Sequence, residues 1–120
     1  MENIGAEELA VANNVDAHNR VVTAYNAAKA EYNRQLQLAI SSIPTPIYEN
    51  WQNKVIEDLN EQFRIIDAAY KKDAQAYENK ESNKYMSQNL NDINTALGKV
   101  QTLVSNKVTD VNVEEAAKVS

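Results

Sequence analysis

The chain has 120 residues and a mass of 13.4 kDa, with 12 Lys+Arg against 17 Asp+Glu and a formal charge of −5. That length suits one domain. Two Gly and two Pro argue against a turn-rich β fold, and the lack of Cys excludes disulfides, thiolate metal sites and a Cys nucleophile.

The acidic balance argues against nucleic acid or an anionic membrane as the main partner, which leaves proteins. Met1 to Val15 carries three Glu and no Lys or Arg, so a secretory n-region is not expected. Synthesis in the cytoplasm follows as the expectation, with a virion or signal-less secretion as destinations. No apolar run approaches the roughly 20 residues that a membrane span needs. Asn and Ala each occur 16 times. Asn competes for backbone hydrogen bonds, so a helical chain with this much of it must gain order from packing.

The first expected helix runs from about residue 6 to 41. Ile4, Val11, Val15, Val22, Tyr25, Tyr32, Leu36 and Ile40 recur at spacings of three, four and seven, which marks one helix face. Counting 11, 15, 18, 22, 25, 29, 32, 36 places His18 and Lys29 on the same seam, where a coiled coil sets register and partner choice. Ser41-Ser42-Ile43-Pro44-Thr45-Pro46 stops this helix, because each proline removes a donor and restrains its predecessor. Thr45 before Pro46 reads as a cap with proline at the first helical position.

A second helix is expected over about 46–80. Tyr48, Trp51, Val55, Leu59, Phe63, Ile66, Tyr70, Ala74 and Tyr77 recur with a mean spacing of about 3.6. Met86, Leu90, Ile93, Leu97, Val100, Val104, Val108 and Val111 form a third stripe, expected as a helix over about 83–107. The nine residues from Tyr77 to Met86 put the two stripes out of phase. A break near Asn79–Asn83 is therefore favoured, with Asn79 ending one helix and Ser82 capping the next. Gly98 weakens the third stripe. The alternation in Val108–Val113 suggests a short extended tail, with Asn112 and Glu115 as a capping pair for a last turn.

The fold expected is all-α, about 75–85% helical. It is a single domain made of a helical hairpin about Pro44–Pro46 plus a third helix, closing as a three-helix bundle or an extended coiled-coil-like assembly. Trp51, Leu59, Phe63 and Ile66 should share a core with Val15, Val22 and Leu36.

Catalytic chemistry is not expected. His18 is the one histidine, too few ligands for zinc, and no serine sits in a strand-to-turn context for a triad. It reads as a packed or surface histidine. Gly5 and Gly98 cannot build a phosphate loop. Adjacent acids such as Glu7-Glu8, Glu57-Asp58 and Glu114-Glu115 do not share a helix face. No catalytic residue, cofactor or metal is assigned. Tyr25, Tyr32, Tyr70 and Tyr77 come in seven-spaced pairs. They suit core packing with the hydroxyl at the rim, or anchors for a partner. His18, Tyr25, Lys29, Tyr32, Tyr70 and Tyr77 are the candidate interface.

Two resemblances bear on function. The helical hairpin, the lack of Cys and the acidic balance resemble the WXG family of type VII secretion substrates. Tyr77-Glu78-Asn79-Lys80-Glu81 is similar to that family's Tyr-x-x-x-Asp/Glu export signal, which implies Tyr77 and Glu81 exposed on one helix face. Trp51 follows the turn, but Asn53 stands where that family has Gly. The texture of Ala24-Tyr25-Asn26-Ala27-Ala28 and Asp73-Ala74-Gln75-Ala76-Tyr77 resembles internal and structural proteins of podovirus virions. A non-enzymatic assembly protein, forming a homo-oligomer or larger assembly, is the first expectation. A secreted substrate or adaptor is the alternative.

Overall fold

A computed structural model describes residues 2–119, with side chains from residue 8 onward. It comprises α1 (Glu2–Ser42), α2 (Glu49–Glu78) and α3 (Ser82–Val119), and is 92% helical without strands. The helices form a three-helix bundle. Asn14 meets Ser82, His18 meets Asp73 and Tyr48 meets Glu115, so α2 runs antiparallel to α1 and α3. The result is a rod of 79 × 19 × 17 Å.

Ile43, Leu59, Ile66, Ile93, Val21 and Val100 are fully buried along its axis. The α2 and α3 stripes face this core much as their spacing predicts. In α1 the buried face differs. Asn14, Ala17, Val21, Ala28, Gln35 and Ala39 are buried, whereas Val11, Val15, Lys29 and Ile40 are exposed. The expected seam is rotated by one residue, because α1 packs against two helices at once. Its alanines point to the bundle axis, and its tyrosines fall on the α2 flank. Val22 and Leu36 are half-buried. The side chain of Ile4 lies outside the described residues.

The first turn ends as the prolines require, but α2 starts at Glu49 rather than at Pro46. Its N-cap is Tyr48, with no side-chain cap bond. The Pro44 and Pro46 carbonyls accept from the Tyr48 and Glu49 N–H groups, which displaces the expected Thr45 cap. Gln52 Nε2 donates to the carbonyls of Ala39, Ile40 and Ile43, covering the open end of α1.

The second joint is a break at Asn79. Glu81 N–H bonds the Ala76 carbonyl and Lys80 N–H the Tyr77 carbonyl, the pairing of a Schellman turn. Lys80 holds φ 62°, the position where helices favour glycine. Gly98 by contrast sits mid-helix with nothing within 4 Å of where a Cβ would stand. Lys80→Gly and Gly98→Ala should therefore each stabilise by about 0.5–1 kcal/mol, additively since the sites are separate. Urea unfolding of both single variants and the double variant checks this, and a destabilised single variant contradicts the local geometry.

The tail is the other correction. Residues 108–119 are helical, not extended, and Asn112–Glu115 lies inside α3. Val111 is buried against the core, and Glu115 and Lys118 both reach Tyr48. Val111 and Val113 alternate with Asn112 as a strand would, but Val104, Val108 and Val111 also share a helix face, and the hairpin supplies the surface they pack on.

Candidate functional site

The six expected interface residues lie along the α1–α2 flank, and five of them join in one array. Steps of seven along α1 give His18, Tyr25 and Tyr32, and steps of seven along α2 give Phe63, Tyr70 and Tyr77. Antiparallel packing sets these against each other as three rungs. His18 stacks on Tyr77 with ring centres 3.9 Å apart, Tyr25 on Tyr70 at 4.3 Å, and Tyr32 on Phe63 at 4.6 Å. Tyr25 also leans on Phe63 at 6.3 Å. Stacks of this kind contribute about 0.5–1.5 kcal/mol beyond their buried area.

Each rung carries a polar tether reaching back one turn on α2. His18 Nδ1 donates to Asp73 Oδ2 at 2.6 Å, Tyr25 OH to Asp67 Oδ1 at 3.3 Å, and Tyr32 OH to Asn60 Oδ1. Tyr25 and Tyr32 are thus half-buried ring to ring, with their hydroxyls satisfied at the rim. Within one chain they join α1 to α2. Lys29 stands apart from the array and is exposed. Tyr77 keeps 37% of its surface open, the most exposed ring of the array.

The secretion resemblance implies one exposed helix face carrying Tyr77 and Glu81. α2 stops at Glu78, and Glu81 is half-buried in the turn beyond it. The two residues are therefore not on one helix.

Below the His18 rung lies a layer that spacing arguments passed over. Asp73 is fully buried, and so are Ser82 and Asn89. Asn14 Oδ1 accepts the Ser82 backbone N–H at 2.6 Å, so α1 caps the start of α3 from across the bundle. Asp73 Oδ1, Ser82 Oγ and Asn89 Nδ2 have no hydrogen-bond partner among the described residues. The Ser82 hydroxyl engages neither His18 nor Asp73, so the three do not form a nucleophile–base relay. A signal for Asp73 was present, since steps of seven from Leu59 pass through Ile66 to Asp73. Among the described residues no cluster of His, Cys, Asp or Glu is placed to hold a metal.

No family of known proteins, no curated protein and no solved structure matches this chain.

The ladder electrostatics make stability depend on pH at both extremes. The Lys71 ammonium, 2.8 Å from Asp67, holds that carboxyl below the usual carboxylate range. Burial, aided by the Asp67 charge and hydrogen bond, pushes the Tyr25 hydroxyl up. At the far end the Tyr48 hydrogen bond lowers Glu115, and the same bond raises Tyr48. A lowered carboxyl stabilises above its unfolded value near 4 and loses that contribution as pH falls through its folded value. A raised phenol stabilises below about 10 and loses it as pH rises through its folded value. The melting temperature should therefore be flat between about pH 5 and about pH 9 and fall on both sides. Asp67→Asn should make both limbs shallower, since the Asp67 charge also acts on Tyr25. Calorimetry across this range tests it, and limbs unchanged by Asp67→Asn would reject the assignment.

Two apolar surfaces remain open at the ends of the rod. At one end Leu9 and Val11 are 61% and 60% exposed on α1. At the other Ile40, Ile47, Val113 and Val119 are open where the α1–α2 turn meets the end of α3. No helix of the described residues is long and apolar enough to cross a membrane.

Proposed function

We propose that this chain is a non-enzymatic helical assembly protein that works through protein–protein contacts, as a component of a virion or a comparable assembly. The observation that carries this reading is the placement of its open apolar residues. The most exposed of them, Leu9, Val11, Ile40, Ile47, Val113 and Val119, gather toward the two ends of a 79 Å rod, while Ile65, midway along α2, keeps only 39% of its surface open. Exposed apolar patches on small acidic proteins mark contact surfaces rather than solvent-facing ones. An end-capped rod suits a spacer or filament unit, where contacts are made lengthwise. The tyrosines contribute indirectly, by holding α1 straight against α2 so that both ends keep a fixed separation.

The mass in solution tests it. Light scattering is expected to give a multiple of 13.4 kDa. Ile47→Glu with Val113→Glu should return the mass to that of the single chain. A standard interface covers about 800 Å² per partner. A single-chain mass at every concentration, with no cross-linked product, removes the self-assembly reading.

A further inference from the structure

We propose that the groove at the α1 end of the bundle receives a cationic amphipathic helix of another protein. α2 and α3 meet at the Asn79–Glu81 turn, level with Asn14. α1 does not stop there. Residues 2–13 continue for about 18 Å, at 1.5 Å per residue, and pass the end of α2 at Ala10 and Val11, which share a groove with Tyr77 and Glu78. A single helix of this length is marginal in water without a packing partner. Between it and the end of α2 lies a groove of about 530 Å³, walled by Ala10, Val11, Val15 and Tyr77 and rimmed by Asn14, Glu78 and Lys80. It occupies the place that a further turn of α2 would fill. An extended segment would set unpaired backbone groups against this apolar wall, whereas a helix satisfies its own.

Charge selects the occupant. Residues 1–17 contain Glu2, Glu7, Glu8 and Asp16 and no Lys or Arg. Glu8 is exposed on the overhanging turns of α1 and Glu78 on the groove's rim, whereas Asp16 faces away from the groove and pairs with Arg20 at 2.9 Å. Lys80 is the one cation lining it among the described residues. A second copy offering its own α1 would bring the same acids into opposition, so self-docking here is disfavoured. A helix with Leu-type anchors and a Lys/Arg face complements both wall and rim, and its charges would speed encounter. This inference rests on the protein-contact reading above and names the partner's chemistry at one end.

The test titrates the full chain with a synthetic Leu/Lys amphipathic helix and a matched Leu/Glu helix, read by calorimetry. One-to-one, salt-sensitive binding of the Leu/Lys peptide alone is expected. Val11→Glu, on an exposed position that should not disturb folding, should weaken it at least about tenfold. Glu8→Gln with Glu78→Gln should weaken it and flatten its salt dependence, while Val113→Glu at the opposite end should leave it unchanged. Equal binding of both peptides overturns the proposal, as does an affinity indifferent to Val11→Glu. A dimer that Val11→Glu alone dissociates also overturns it, by assigning the groove to a second copy, yet leaves the assembly reading standing. Conversely, peptide binding by a strictly single-chain protein upholds the groove and removes self-assembly.

Discussion

Leu59→Ala should lower the unfolding free energy by about 3–5 kcal/mol, the upper part of the range for fully buried leucines. Leu59 has no exposed surface and sits mid-rod, where all three helices meet and a cavity cannot collapse without bending one of them. Phe63→Ala is the informative comparison. Phe63 was expected in the core, but it is half-buried in the ladder. Its loss forfeits ring contacts with Tyr32 and Tyr25 and leaves a site open to water, so about 2 kcal/mol is expected. Denaturant unfolding gives both values. If Phe63→Ala costs more than Leu59→Ala, the ladder rather than the axial seam dominates stability.

The second large effect belongs to His18. Asp73 has no exposed surface, and its one hydrogen bond among the described residues is to His18. Removing one partner of a buried pair leaves the other uncompensated, so His18→Ala should cost about 3 kcal/mol. Replacing both members with apolar residues of similar shape, His18→Phe with Asp73→Leu, should be neutral or stabilising by about 1–4 kcal/mol. The two variants must therefore move stability in clearly different ways. Equal losses in both would mean that the cost of His18→Ala does not come from leaving Asp73 unpaired, and would reject this account.

The parts of this architecture legible in the residues were those decided locally. Two prolines stopped α1, and the nine-residue phase shift after Tyr77 located the break at Asn79. The Leu59–Ile66 and Ile93–Val104 stripes faced inward as their spacing required. What escaped was decided by three-way packing. The largest residues of α1 suggest one face, but a helix wedged between two others turns small ones inward, so Ala28 and Ala39 are buried while Ile40 is exposed. Asp73 is hidden from a pattern search because a carboxylate breaks the apolar stripe, although its heptad position after Leu59 and Ile66 is plain. The C-terminal turns of α3 were missed because the valine alternation is ambiguous, and Tyr48, which fastens Glu115 and Lys118, lies about 70 residues away along the chain. The site showed the same division. The seven-residue spacing of the tyrosines was visible within each helix, but their stacking partners across the hairpin were not.

The repeat of the ladder carries a hazard of its own. Rungs spaced by seven on both helices can be re-matched after a slide of one heptad. If α1 shifts seven residues toward its C-terminus, His18 meets Tyr70 and Tyr25 meets Phe63, and two of three stacks survive. Hydrophobic pattern alone discriminates poorly between such alignments. The polar tethers do not tolerate it. Asp73 would then lie beside Val11, a buried carboxyl with an apolar neighbour in place of an imidazole, at a cost of several kcal/mol. In the opposite slide His18 passes the end of α2 at Glu78 and one rung is lost. The least hydrophobic residue of the interior is thus the one that tells the hairpin which of its near-equivalent alignments to keep, much as a lone polar residue does in a coiled coil.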